Sequence, residues 1–467
     1  MRFCVVAVLL SVWTLGAQVE EKTRRVENGL IPAIVVKGRP VPKFTIGERL
    51  KEYKVPGVSI AVVACGEIEW ARGYGLASVE EGKAVNAGTL FQAASISKPV
   101  AAMVALRLVE LGKLSLGEDV NRTLRSWKVP ENDFTSRQKV TLRRLLSHTA
   151  GLTVHGFPGY SAGSAVPTLR QVLEGVEPAN TAPIRADIVP GTRNRYSGGG
   201  YEVMQQLVED VTGKPFPVVA RELVLGPLAM NGSTYDQPLP ARYVAAAAAA
   251  HRGSGESVRG KWHTYPEMAA AGLWTTPSDL ARLILEIQRP GKVLKTETVK
   301  EMLTEVLNGY GLGFALGKRD GAKSFSHGGA NVGFQCMLFA YRDSGSGAVV
   351  MTNGDRGGTL ASEVLRSIAS EYGWPDYQPA VKTLAAVSRE VLRSYAGKYE
   401  FPDTLITVTV QDERLYADAG SRGRVELLPE SETLFFNPDG VVSPVRFSKK
   451  DDGSVEMTAG GATAKRQ

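Results

Sequence analysis

A chain of 467 residues, 43% hydrophobic and 22% charged, has the make-up of a globular protein with room for two or three domains. Its formal net charge of +7 comes from Lys and Arg scattered along the chain, which excludes a nucleic-acid-binding stripe and leaves a mild pull toward anionic surfaces. The five histidines, His148, His155, His251, His263 and His327, lack metal-binding spacing, so no metal site is indicated.

Met1-Arg2, a nearly all-apolar run from Phe3 to Gly16, and then Ala17 read as a secretory signal over 1–17, cleaved near Ala17. That places the mature chain in the periplasm or outside the cell. An uncleaved anchor is the second reading, but the run is short for a membrane span, and no later segment is apolar enough for one. Residues 18–43 are charged and proline-containing, an N-terminal arm. Ile46, Leu50 and Tyr53 have helical spacing within Phe44 to Tyr53. Gly57 to Ala64 and Glu67 to Tyr74, joined by Cys65-Gly66, form a hairpin. Cys65 and Cys336 lie in apolar strand-like stretches and read as two buried thiols, with no spacing that decides on a disulfide.

The segment Ser95-Ile96-Ser97-Lys98 opens a helix and puts a hydroxyl and an amine one turn apart on one face. Downstream, Val100, Met103, Val104, Leu106, Leu108, Val109 and Leu111 are apolar almost all round, the pattern of a buried helix ended by Gly112. A buried amine can take a serine's proton and make it a nucleophile. Taken alone, Ser95 also reads as a helix cap. From about 116 to 260 the signals are mostly helix and loop. They include a helix capped by Thr141 through Leu146, another from Tyr201 to Val211 stopped by Gly213, and six alanines at 245–250 whose composition favours helix in a loop-rich setting.

Strand patterns return after about 310, with Ser324 to Phe334, Gln335 to Tyr341 and Gly347 to Thr352, followed by a helix over Thr359 to Tyr372. Strand-rich material at both ends of this region predicts one sheet built from both, with a helical lobe inserted and a cleft between them. Pro375 to Pro379 marks a boundary; 376–387 is a linker. Alternating stretches at Leu405 to Val410, Val425 to Leu428, Leu434 to Phe436, Val442 to Phe447 and Ser454 to Met457 predict a small antiparallel β domain over 388–467, with no His or Cys.

Three further motifs stand with Ser95-x-x-Lys98: Tyr196-Ser197-Gly198, His327-Gly328-Gly329, and Thr141 to Leu152 (T-L-R-R-L-L-S-H-T-A-G-L). In this order they resemble the β-lactamase and penicillin-recognising serine hydrolase superfamily. The class C β-lactamases, the D-Ala-D-Ala carboxypeptidase and D-aminopeptidase group, and the family VIII carboxylesterases are the branches most like it. The resemblance spans about Phe44 to Tyr372. It implies an α/β, two-lobed transpeptidase-like catalytic domain over 44–375 with an antiparallel sheet flanked by helices. It also implies an acyl-enzyme mechanism without a cofactor: Ser95 as nucleophile, Lys98 as base, Tyr196 as proton shuttle, and the N–H groups of Ser95 and Ala330 as oxyanion hole. His327, Gly328, Gly329 and Gly198 would line the substrate site. Which of Lys98 and Tyr196 takes the first proton stays open.

Two positions depart from the β-lactamase pattern. Gly198 stands where those enzymes carry Asn, and His327 where they carry Lys, which weakens the grip on a substrate carboxylate near neutral pH. The expected activity is therefore hydrolysis of an ester or a small peptide or amide, with weak or no β-lactamase activity. The partner is a small-molecule or peptidoglycan-derived substrate, with no nucleic acid and no stable membrane span. Arg193 and Arg195 read first as surface residues flanking the Tyr196 motif, and second as replacements for the lost positive charge. Two rivals remain. One is a penicillin-binding or peptidoglycan-sensing receptor with little turnover. The other is an α/β-hydrolase with Ser161 as nucleophile in Gly159-Tyr160-Ser161-Ala162-Gly163, although the glycine- and proline-rich surroundings lack that motif's strand and helix.

Overall fold

The computed structural model describes residues 16–402, 404–420, 423–438 and 444–467. The signal-peptide reading lies, for residues 1–15, outside them, as do Val442 and Ser443 of one expected strand. The chain divides into two compact units, residues up to Thr23 with Ile46–Leu365, and Arg24–Thr45 with Arg366–Gln467. Among the described residues no helix is long and apolar enough to cross a membrane.

The first unit is built on a seven-stranded sheet. In chain order its strands are β1 (Gly57–Ala64), β2 (Glu67–Ser78), β3 (Lys83–Ala84), β4 (Ala315–Arg319), β5 (Ala322–Asn331), β6 (Phe334–Tyr341) and β7 (Gly347–Thr352). The spatial order is β3-β2-β1-β7-β6-β5-β4, every neighbouring pair antiparallel. The two ends of the sequence meet at β1 and β7, with Val63 opposite Gly347 and Val58 opposite Thr352. β1 is an apolar, mostly β-branched run buried along nearly its whole length, as a central strand must be. Cys65 and Gly66 both take positive φ, 53° and 74°, the turn geometry whose twist suits a two-residue hairpin. Asp320 and Gly321 do the same between β4 and β5.

The main helices of this unit are α1 (Ile46–Tyr53), α2 (Ser97–Glu110), α3 (Gly198–Thr212) and α4 (Pro277–Gln288), and α5 (Gly357–Tyr372) begins in it. α2 is buried on nearly all sides, from Ser97 to Leu106 and at Leu108, as its uniformly apolar sequence requires. It packs against α3 and against the short helix Met268–Ala271. α3 is capped by Ser197, whose Oγ accepts from Gly200 N at 3.0 Å, and is stopped by Gly213 in the left-handed region.

Some expectations are corrected. Ser95 sits in a single 3-10 turn (Ala94–Ile96) ahead of α2, not in the α-helix itself. The alanine run is not helical at 245–250. Ala246 O accepts from Leu90 N, Ala248 N donates to Leu90 O and Ala249 N to Ala77 O, so small side chains let an extended segment lie close to its neighbours. The turn between β5 and β6 comes at Val332-Gly333, three residues earlier than the spacing suggests, and β4 was not foreseen. Cys65 is exposed and Cys336 buried, and both are free thiols. A helix covers residues 16–27, from the end of the expected signal segment into the expected arm.

In the second unit, eight strands run consecutively from Gly397 to Lys465, each antiparallel to the next. The last meets the first through a Tyr399–Arg466 bridge and a Gln467 N–Lys398 O hydrogen bond, so the sheet closes and its edges disappear. Tyr395, Tyr399, Phe435 and Phe447 fill the interior, with Tyr395 stacked on Phe447 at 4.4 Å.

Within the first unit, Arg49 of α1 and Glu363 of α5 form an ion pair at 2.9 Å, and Tyr53 donates to the same carboxylate at 2.8 Å. Both ions are almost fully buried. Glu363→Ala leaves the guanidinium without that counter-ion in a dry interior, so it lowers stability by about 3–5 kcal/mol, read from the urea midpoint of the first unit's unfolding.

Candidate active site

The turn carrying Ser95 is fixed from both sides. Phe91–Gln92 pairs with Trp274–Thr275, and Ala93 N donates to Leu273 O at 2.8 Å. Ser97 Oγ donates to Ala94 O and accepts from Leu273 N at 3.0 Å. Ala94 takes a φ of 49°, a left-handed conformation that a non-glycine residue adopts only under constraint. Ser95 is half-buried, and Lys98, one turn on, is 2% exposed. Lys98 Nζ lies 3.1 Å from Ser95 Oγ and donates to Ala270 O at 2.8 Å.

Ala270 belongs to a strap, residues 268–273, that sequence reading did not single out. Its amides are caught by α3: Glu202 Oε1 accepts from Ala270 N at 3.1 Å and Gln205 Oε1 from Ala269 N at 3.0 Å. Its carbonyls are caught by Gln237, which donates to Gly272 O, and by Asn331 of β5, which donates to Ala271 O and to Gln92. Glu202 is fully buried, and burial, then the nearby Glu267, push its carboxyl well above the ordinary range. Burial pushes Glu267 up to about 7. A backbone carbonyl leaves no trace in a residue pattern, but a glutamate between Tyr201 and Val203 in an otherwise buried helix was a usable signal.

Tyr196 immediately precedes the cap of α3. Arg195 N donates to His148 O at 2.8 Å and Ser197 N to His148 Nδ1 at 3.1 Å, which holds the tyrosine between them. The Tyr196 ring lies 4.2 Å from the His148 ring, 4.9 Å from His155 and 6.2 Å from His327. Lys98 Nζ is 4.9 Å from the Tyr196 ring centre and 5.7 Å from that of Tyr201. The three glycines after Ser197 sit inside the first turn of α3, not in a turn before it. A Cβ at Gly198 would fall 2.9 Å from the Phe157 ring and 3.2 Å from His155 O, and one at Gly199 2.7 Å from Thr153 O.

β5 forms the opposite wall. A Cβ at Gly329 would fall 2.2 Å from Ala93 O, so the strand meets the Ser95 turn backbone to backbone. Gly328 and Ala330 are exposed. His327 is buried, its Nδ1 2.6 Å from Gly328 O. Burial, then Lys98, depress its pKa to about 3, so the ring is neutral at any moderate pH. His148 is held well below the ordinary range by burial, Lys98 and His327. Arg195 is turned to Asp187 and Gly151 O, and Arg193 is exposed.

The structure thus brings Ser95, Lys98, Tyr196 and the strand His327–Ala330 to one place, with Gly198 behind Tyr196. Ser161 stands elsewhere in a turn. Its Oγ is 2.8 Å from Ser164 Oγ, and no strand leads into it and no helix directly leaves it. Among the described residues no cluster of His, Cys, Asp and Glu has the arrangement of a metal site.

The model of the Beta-lactamase family matches residues 44–372. The chain belongs to this family of serine hydrolases. Esterase EstB of Burkholderia gladioli is 32% identical over 223 residues, 45% of this chain and 54% of that protein, so the chain matches about half the length of that relative. Among solved structures, the octameric penicillin-binding protein homologue from Pyrococcus abyssi aligns over 90% of this chain and 98% of its own, with a TM-score of 0.64 and 21% identity. The D-amino acid amidase from Ochrobactrum anthropi SV3 covers 70% of this chain and 97% of its own, with a TM-score of 0.57 and 20% identity. These likenesses establish the transpeptidase-like fold and rule out the α/β-hydrolase alternative built on Ser161.

Gly329→Ala forces the strand and the turn apart and lowers the rate of fluorophosphonate labelling at Ser95 by about 10²-fold. The His327 ring has a second consequence. Unfolded, it binds a proton below about pH 6.5; folded, not until about pH 3. Stability therefore falls as pH drops through that window, by up to about 1.4 kcal/mol per pH unit for this ring. His327→Gln flattens the slope of the urea midpoint against pH between 6 and 4.

Proposed function

We propose that this protein is an exported hydrolase that works through an acyl-enzyme and prefers uncharged ester substrates, with small amides as secondary substrates and little action on β-lactams. The observation that carries the hydrolytic reading is the buried Lys98 amine, 3.1 Å from Ser95 Oγ at the mouth of a turn braced against β5. Ser95 Oγ attacks the carbonyl carbon while Lys98 Nζ takes its proton. The carbonyl oxygen becomes an oxyanion held by the N–H groups of Ser95 and Ala330, each such donor typically worth about 3 kcal/mol. As the intermediate collapses, the bond to the leaving group breaks, Tyr196 hands that group a proton, and the proton held by Lys98 Nζ passes to the Tyr196 phenolate, which restores both groups. Water then repeats the sequence on the acyl-enzyme and releases the acid.

The preference for uncharged substrates rests on His327, Arg195 and Gly198. A carboxylate-bearing substrate needs a fixed cation near β5. Here the ring at that place is neutral, Arg195 is occupied by Asp187, and Gly198 offers no amide. The exposed backbone of Gly328 and Ala330 then shapes the acyl pocket, with the His327 ring, Gly329 and Gly198 packed behind it. The named activity of the EstB relative agrees with this reading. Export rests on the apolar run before Ala17.

Ser95→Ala lowers kcat/KM for p-nitrophenyl butyrate by about 10⁴-fold or more without changing the far-ultraviolet spectrum; retained turnover in that variant removes the assignment. On wild type, p-nitrophenyl butyrate is turned over faster than a D-alanyl anilide, and both faster than a chromogenic cephalosporin. A stable penicillin adduct on Ser95 with no ester turnover would instead identify a receptor.

A further inference from the structure

Tyr310 belongs to Gly309-Tyr310-Gly311-Leu312-Gly313, a run with neither the spacing nor the setting of a nucleotide site, and the reaction as set out above does not use it. Its backbone is pinned on both sides, Val306 N donating to Tyr310 O at 2.8 Å and Tyr310 N to Leu307 O at 3.2 Å. A Cβ at Gly311 would fall 2.4 Å from Met302 O, which shows how tightly the segment is laid down. The ring is thereby aimed inward, edge-on to His148 at 4.9 Å and to His327 at 6.5 Å. The hydroxyl is buried and has no hydrogen-bond partner.

Two more buried polar atoms without a partner lie on the rings it faces, His148 Nε2 and His327 Nε2. Their protonation follows from the bonds made on the other side of each ring. His148 Nδ1 accepts from Ser197 N, so in the neutral ring the proton is on Nε2, a donor. His327 Nδ1 faces the Gly328 carbonyl, which only accepts, so that nitrogen carries the proton and Nε2 is a bare acceptor. A donor, an acceptor and a hydroxyl able to do either thus stand on three adjacent rings. Two of these rings, those of His148 and His327, flank Tyr196. Buried polar atoms are nearly always satisfied, and one water with two to four polar partners is the common means.

We propose that Tyr310, His148 and His327 form a binding site for a single water molecule behind Tyr196, and that Tyr310 is a positioning residue that orients the Tyr196 phenol for proton delivery through that water. The water accepts from His148 Nε2, donates to His327 Nε2 and exchanges its remaining bonds with the two phenols. No covalent bond changes at Tyr310. The inference rests on the serine hydrolase reading above, in which Tyr196 protonates the leaving group.

Tyr310→Phe removes the hydroxyl and keeps the ring. The expected result is a fall in kcat of about 10-fold or more for phenyl butyrate, whose leaving group needs a proton, and a much smaller fall for p-nitrophenyl butyrate, whose leaving group does not. KM and the melting temperature stay near wild type. A crystal structure of the wild type shows a water about 3 Å from the three atoms, and that of the variant shows it lost or displaced. Equal rates for wild type and variant on both esters overturn the inference, as does an equal loss on both accompanied by a lower melting temperature, or a wild-type crystal without that water. Failure of the underlying reading shows separately, as undiminished turnover by Ser95→Ala.

Discussion

The site depends on the place where strand β5 and the Ala93–Ser95 turn touch with nothing but backbone between them. Gly329 makes that contact, and the geometry on either side is rigid for reasons unrelated to chemistry. β5 is held in register between β4 and β6, and the turn is held by Leu273, Ser97 and the Phe91–Gln92 pair. The separation between Ser95 and Ala330 is therefore inherited from the sheet. In the proposed oxyanion hole, donors set in this way need no rearrangement when charge develops, the condition under which a pair of amides lowers a barrier most. The left-handed φ at Ala94 is the local cost of turning a serine toward a strand so close.

Electrostatics around the amine follow one pattern. Lys98 is buried, and the polar atoms it meets are uncharged, the Ser95 hydroxyl and the Ala270 carbonyl. Burial shifts six ionisable groups of this region toward their neutral forms: His148 and His327 are pushed down, and Tyr201, Tyr310, Glu202 and Glu267 are pushed up. Such a shell lowers stability, because several polar atoms in it lack protein partners.

Much of this was legible in the residues because it is carried by side chains with a period. The Ser95–Lys98 spacing, the apolar helix behind it and the apolar runs of β1 and β7 all announced themselves, and one sheet built from both ends of the region followed from the strands there, though not which of them pair. What escaped has no periodic signature. The Ala270 carbonyl is backbone. β4 is short and ends in charge, and its cue was the Asp320-Gly321 turn, not its strand pattern. The six alanines favour helix by propensity, and tertiary pairing with Leu90 and Ala77 overrode it. In the second unit five strands were visible by alternation. Closure into a barrel was not, because it depends on a register between the first and last strands that no local window contains.

The departures at Gly198 and His327 are one change, not two. Asn at position 198 would need space that the Phe157 ring and His155 O occupy, and Gly198 N in turn donates to His155 O at 3.0 Å. The loss of an amide there is thus the condition for bringing the loop 153–157 onto the start of α3, where exposed His155 lies against Tyr196. On the other side, His327 places a ring where a long cationic side chain would reach outward. Tyr196 is thereby enclosed by His148, His155 and His327, and the wall that would grip a charged substrate becomes one of neutral ring surface and glycine backbone. In the proposed reaction a pocket so lined discriminates by shape and desolvation, which is the physical basis of the proposed preference for acyl groups that lose little on leaving water.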